Sequence, residues 1–297
     1  MERIPGVALN DVWSEIDLEV KSRITKSIAG FVGQLRDTQR YFAAIGNLYL
    51  RDDIETSNVA GRAVPTKDEK YVVGPIVTPY MFAGGRKLRV PRNLGPYSDD
   101  AEYIAALTAT EREEMKLLLS ADARLQDDFD KYLANDAEEI IEVLDELQAI
   151  SKTLFPSRPR HFVLLHHDLS LANILVDPKS HEITGIVDWE CVGTRPHWED
   201  THPLFLLGPD IDEEVEPLAP GDTDEWRVEH WENWEKTKLR LVFDQELGGA
   251  HQTRDGGDAI RWDFRQQLDW VDLSQRRVKI WMGEYNERCA QMEQETA

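Results

Sequence analysis

The tightest constraint on this chain is the stretch 161–190, HFVLLHHDLSLANILVDPKSHEITGIVDWE. Apolar, β-prone runs stand on either side of a polar loop reading HHDLSLAN, and a further run, ITGIV, ends in Asp188. Runs this short, broken by Asp177-Pro178, fit strands of a hairpin rather than a helix. An Asp or Asn oxygen stands at each turn of the path, an arrangement that can hold magnesium and a phosphate.

The loop His166-His167-Asp168-Leu169-Ser170-Leu171-Ala172-Asn173 has the pattern H-x-D-x-x-x-x-N. In phosphoryl transfer the Asp can accept a proton from, or orient, the attacking hydroxyl, and the Asn five positions later offers a neutral oxygen to a metal on the nucleotide phosphates. Asp188, 20 residues after Asp168, supplies a second, anionic ligand after one hairpin. Asp and Asn are also ordinary turn residues, so the motif draws its weight from the flanking β segments and the spacing. A metallohydrolase built on His166, His167 and Asp168 is disfavoured, because neighbouring residues on a strand point to opposite sides.

The strings HHDLSLANILV and GIVDWE resemble the catalytic and metal-binding loops of the aminoglycoside phosphotransferase family, whose kinase-like fold also includes choline and related small-molecule kinases. Trp189 and Glu190 stand where protein kinases have Phe-Gly. VVGPIVTPYMFAGG and MERIPGV look like segments of fungal members of that family. The resemblance implies an α+β, mostly helical chain: a protein-kinase-like large (C-terminal) lobe with a short β-hairpin catalytic region and an irregular insert. It implies Asp168 as catalytic base, His166 as a loop-shaping residue, Asn173 and Asp188 as magnesium ligands, and Asp200 as a buried acid fastening the catalytic loop. The family reaction moves the γ-phosphoryl of ATP, with Mg2+, to a hydroxyl of a small molecule.

By the same resemblance Met1 to Gly6 match the hinge between the family's two lobes, with Glu2, Arg3 and Ile4 on the nucleotide side. The small lobe normally brings a Gly-rich phosphate loop, a strand lysine and a glutamate, and no G-x-G-x-x-G or V-A-x-K context precedes Asp168. The expectation is therefore one large-lobe domain over 1–297, with a hinge remnant at 1–9, an insert at 46–97, the catalytic and metal loops at 161–190, and no N-terminal lobe. Such a chain alone would bind nucleotide poorly. It would also expose an apolar patch near Ile4, Val7 and Leu9 that a partner could cover. A catalytically inactive binding module is the alternative.

Fifty-six acidic against 34 basic residues leave a net charge of −22, which repels phosphate backbones and anionic lipids. Nucleic-acid and membrane partners are disfavoured on that ground, while a cationic small-molecule substrate suits the field. Two cysteines with no C-x-x-C spacing cannot make a disulfide framework, the N-terminus has no signal layout, and no apolar run reaches membrane-spanning length. The expected setting is cytoplasmic.

Elsewhere, apolar residues at spacings of three and four (Val20, Ile24, Ile28, Phe31, Val32, Leu35) predict a helix over 17–35 capped by Asp17. The Gly/Pro-dense 46–97 predicts an irregular insert with one or two hairpins. Helices are expected near 101–107 and 110–133, then a stronger one with Ala137, Ile140, Ile141, Leu144, Leu147 and Leu154 on one face, closed by Pro156 and Pro159. The segment 191–207 reads as loop then helix, and 208–224 as a solvated acidic loop. Trp231, Trp234, Leu241 and Val242 share a face of a helix over 226–247, and the nine tryptophans read as core rather than as a ligand cage.

Overall fold

The structure, a computed structural model, describes residues 3–37, 42–55, 63–77, 90, 92–120, 128–157, 162–219, 221–248 and 256–296. In chain order its elements are β1 (Val7–Ala8), α1 (Leu18–Asp37), β2 (Gly46–Leu50), α2 (Arg51–Glu55), β3 (Val64–Pro65), β4 (Tyr71–Gly74), α3 (Asp100–Leu119), α4 (Asp128–Leu154), β5 (Val163–Leu165), β6 (Ile174–Val176), β7 (Ile183–Ile186), β8 (Gly193–Arg195), α5 (Glu225–Glu246), α6 (Gly256–Trp270) and α7 (Gln275–Thr296). Helix predominates and every pairing described below is antiparallel, which is the mixed α and β composition the sequence predicts. Among the described residues no helix is long and apolar enough to cross a membrane.

The chain divides into two compact units, one of Met1–Tyr41 with Val163–Arg254 and one of Phe42–Phe162 with Asp255–Ala297. In the first unit α1 begins where Asp17 Oδ1 accepts from the Val20 amide at 2.9 Å, capping an otherwise orphaned donor. Ile24, Ile28, Ala29 and Val32 form its buried stripe. Phe31 turns about 100° away from Val32 on a 3.6-residue helix and is exposed, outside the expected stripe. The stripe packs into a core with Leu9, Ile16, Leu169, Ile174, Val176, Leu206, Leu239 and Phe243.

That core corrects the expected exposed patch at Leu9, while Ile4 and Val7 are half-buried. Leu9 is 0% exposed, and Val7 and Ala8 pair with Val176 and Leu175 as the outer strand of a three-stranded sheet ordered β1-β6-β7. Core burial removes Leu9 from solvent and strand pairing half-buries Val7 and Ala8, while Arg3, Pro5 and Gly6 stay exposed. The β6–β7 hairpin follows the expected course, with Ile174 opposite Ile186 and Leu175 opposite Gly185. Asp177 closes it: its Oδ1 accepts from the Lys179 and Ser180 amides, each at 2.9 Å, an Asx-type turn.

Beyond the hairpin, the helix expected in 191–207 does not form. Pro196 and Pro203 each lack an amide donor and break the pattern, leaving β8, which pairs with β5, and two single 3-10 turns at His197–Glu199 and Leu204–Leu206. The expected face of α5 is also corrected: Leu239 and Phe243 are buried, whereas Leu241 is exposed and Trp231 and Trp234 are half-buried against each other at 4.8 Å. Of the nine tryptophans only Trp198 is fully buried, so the rest are not core in the sense expected. The acidic loop lies along α5, held by Arg240 Nη2 on Asp210 and by Thr237 Oγ1 accepting from the Ile211 amide.

In the second unit β2 and β3 both pair with β4, giving the hairpins expected of the insert; residues 56–62, 78–89 and 91 of that insert lie outside the described residues. The expected break near 108–109 is absent, and α3 runs through it as one helix capped by Asp99, which accepts from the Glu102 amide. Between α3 and α4, residues 121–127 lie outside the described residues, as does Pro159. In α4, Leu133, Ala137, Ile140, Val143, Leu144 and Leu147 are buried while Glu138, Glu139, Glu142, Asp145 and Glu146 face solvent. Phe155, just after α4, meets Phe264 of α6 edge to face at 5.3 Å, and Lys279 of α7 pairs with Glu139 at 2.6 Å.

Candidate active site

The residues singled out by the two motifs sit in the first unit, on the loop after β5 and the turn after β7. Alternation of Leu169 and Ile174 into the core with Asp168, Ser170 and Asn173 turned outward makes this loop polar on one side and anchored on the other. Its backbone doubles back at His167, whose φ is 66°, so that the Asp168 amide donates to the His166 carbonyl at 2.9 Å. Asp188 is also left-handed, with φ 65° and ψ 53°. Each such non-glycine residue costs on the order of 1–3 kcal/mol. Of the three in the described residues, the third, His181, lies in the hairpin turn.

Asn173 joins the two halves of the loop. Its Nδ2 donates to the Asp168 carbonyl at 2.9 Å and to Asp168 Oδ2 at 3.0 Å. Its own carbonyl accepts from the Val187 amide at 3.0 Å. His166 closes the circuit from the other side: buried, it donates Nε2 to the Val187 carbonyl at 2.8 Å, the only role open to a nitrogen facing a carbonyl. The Trp189 ring meets the His166 ring edge to face at 4.6 Å, and its Nε1 donates to Ile186 at 2.8 Å. Val187, immediately before Asp188, is thereby tied at both backbone groups to the loop that carries Asp168.

Asp188 and Glu190 are exposed, and among the described residues the Asp188 carboxylate has no hydrogen-bond or ion-pair partner. Burial first, then the charges of Glu190 and Asp188 and, more weakly, of Asp168, push the Cys191 thiol up, with Arg195 pulling the other way. His167 has its pKa driven well below the usual imidazole value, chiefly by burial, then by the positive charges of Arg195 and His166. Its ring is neutral at physiological pH.

Magnesium takes hard oxygens, one or two of them carboxylates, with phosphates supplying others. Asn173 spends Nδ2 on Asp168 and keeps Oδ1, and Asp188 keeps both oxygens, so the donor chemistry fits. Among the described residues no group of three or more His, Cys, Asp or Glu could hold a metal by itself, so phosphate oxygens would have to complete the shell.

The structure thus brings His166, Asp168, Asn173 and Asp188 together. Of the hinge residues, Arg3 is exposed and Ile4 packs on Gly185 of β7; Glu2 lies outside the described residues. Asp200 is buried and pairs with Arg36 at the end of α1. Sequence reasoning missed the surroundings of Cys191 and Arg195; the one signal for Cys191 was its place directly after Glu190.

An H-x-D-x-x-x-x-N loop and a hairpin-borne Asp, linked through the backbone N–H and C=O of Val187, have the layout that the sequence motifs lead one to expect. The chain belongs to the phosphotransferase enzyme family, whose model matches residues 80–242, more than half of it and including His166, Asp168, Asn173 and Asp188. Two curated proteins of Aspergillus fumigatus, subtelomeric hrmA-associated cluster proteins from different strains, are each similar to it at 22% identity over 285 residues. The match covers 85% of this chain and 54% of each relative, so the chain spans about half the length of the curated relatives it matches. No solved structure matches the chain.

Proposed function

We propose that the protein transfers the γ-phosphoryl group of ATP to a hydroxyl of a small molecule in the cytoplasm, with the weak nucleotide affinity expected where no G-x-G-x-x-G or V-A-x-K context precedes Asp168. Family membership supports the reaction class, and the observation that carries the assignment of roles is the Asn173 amide held on the Asp168 carboxylate. Asp168 is the base: it receives the hydroxyl proton as the oxygen attacks phosphorus, and Asn173 fixes the direction of its Oδ2. Asn173 Oδ1 and Asp188 would hold Mg2+, which when bound would neutralise phosphate charge. His166 and Trp189 set the loop. Arg3 and Ile4, with Glu2, are assigned to the nucleotide side, and the family's large-lobe organisation is assigned to the chain as a whole.

A net charge of −22 favours a cationic acceptor. The test of the base is Asp168→Asn, which keeps the shape and removes proton acceptance. The expected result is a fall in kcat of about 10²- to 10⁴-fold with Mg-ATP binding retained; unchanged turnover would refute the role.

A further inference from the structure

We infer that Gly6 and Gly185 form a seat through which the N-terminal segment positions Asp188, making both glycines positioning residues for the cation; the inference rests on the cation role proposed above. Residues 4–6 approach the face of the β1-β6-β7 sheet and reach β7. A Cβ on Gly185 would lie 2.9 Å from Ile4 Cγ2 and 3.1 Å from Ile4 Cδ1. A Cβ on Gly6, whose φ is 129°, would lie 2.7 Å from both Thr184 Oγ1 and the Val176 carbonyl oxygen. Two bare Cα positions, one on the N-terminal segment and one on β7, thus allow the segment to rest directly on the strand. Real Cβ contacts essentially never come that close, so neither position accepts a side chain without movement.

The movement has a defined destination. Gly185 pairs with Leu175, which in turn pairs with Ala8, so one rung crosses all three strands. Immediately beyond Gly185, Ile186 accepts from Trp189 Nε1, and Val187 bonds Asn173 and His166 through its amide and carbonyl. Lifting β7 at Gly185 therefore displaces Asp188 together with the Val187 contacts to Asn173 and His166, while the Asn173–Asp168 hydrogen bonds lie within the other loop. Asp168 rides on the loop after β5 and is anchored separately by Leu169. The effect should fall on cation affinity before it falls on proton transfer.

The two glycines differ in a way that makes the inference testable. At Gly185 the obstacle is the Ile4 side chain; at Gly6 it includes the Val176 backbone carbonyl, and φ itself is unsuited to other residues. The experiment measures Mg2+ half-saturation and kcat, together with melting of the ligand-free protein, for the full chain, Gly185→Ala, Gly6→Ala, Ile4→Ala and each glycine substitution combined with Ile4→Ala. Gly185→Ala is expected to raise Mg2+ half-saturation about tenfold with kcat within about threefold, and, measured against Ile4→Ala as its own reference, to raise it far less and to cost far less melting temperature. Gly6→Ala is expected to show the same rise against either reference. Additive melting temperatures for Gly185→Ala and Ile4→Ala, or Mg2+ half-saturation unchanged in Gly185→Ala, would overturn the seat. If the unsubstituted chain shows no Mg2+ dependence at all, the proposed reaction fails, while the melting cycle still decides whether Ile4 and Gly185 are coupled.

Discussion

Asn173 and Asp168, five residues apart, are locked by one side-chain amide that donates to both the carbonyl and the carboxylate of Asp168. Under the proposed roles, position and orientation of the base are thus set by the residue that also keeps an oxygen for the cation. Asn173→Leu removes both functions at similar volume. It should lower kcat by at least about tenfold and raise Mg2+ half-saturation as well. Steady-state kinetics over a magnesium series read both effects, and a change in one alone would separate the two roles assigned to Asn173.

Leu9 shows that the N-terminal segment belongs to the fold. Its side chain is fully buried among Ile24, Ile28 and Val176. Leu9→Ala should destabilise the first unit by about 2–5 kcal/mol, measured by denaturant unfolding followed through the tryptophans. A loss below about 0.5 kcal/mol would return Leu9 to the exposed patch expected from sequence.

His167 gives the chain a pH dependence of definite sign. Its folded pKa lies well below the usual 6.5 because of burial and of Arg195, so on acidification the unfolded chain binds this proton first. Its contribution to stability is present above about pH 6.5 and is lost as pH falls below that value. Stability measured from pH 7.5 to 5 should decline in the parent chain and decline less steeply in His167→Gln. Parallel slopes would place the dependence elsewhere.

Much of the site was legible because its parts are local. The path from Asp168 through Asn173 and the Asp177 turn to Asp188 is short, and each strand announces itself by β-branched residues bounded by turn formers. The stripe on α1 and the two-sided α4 were legible for the same reason, a clean 3.6-residue period. What stayed hidden depends on distant partners. Nothing near Val7 reveals that it will pair with Val176, and no local pattern tells that Arg36 will meet Asp200. The helix expected after Cys191 failed because Pro196 and Pro203 outweighed the apolar spacing around them. The tryptophans misled because helical spacing says which residues share a face, not whether that face is covered.

The central claim is that Asp188, with Asn173, holds the magnesium of Mg-ATP in front of Asp168. Its most direct test is the magnesium dependence of ATP turnover in the parent chain and in Asp188→Ala, each with folding checked by melting. The account predicts magnesium-dependent turnover in the parent and a fall of at least about 10²-fold in Asp188→Ala that added magnesium does not restore. Magnesium-dependent turnover that survives Asp188→Ala unchanged would contradict it.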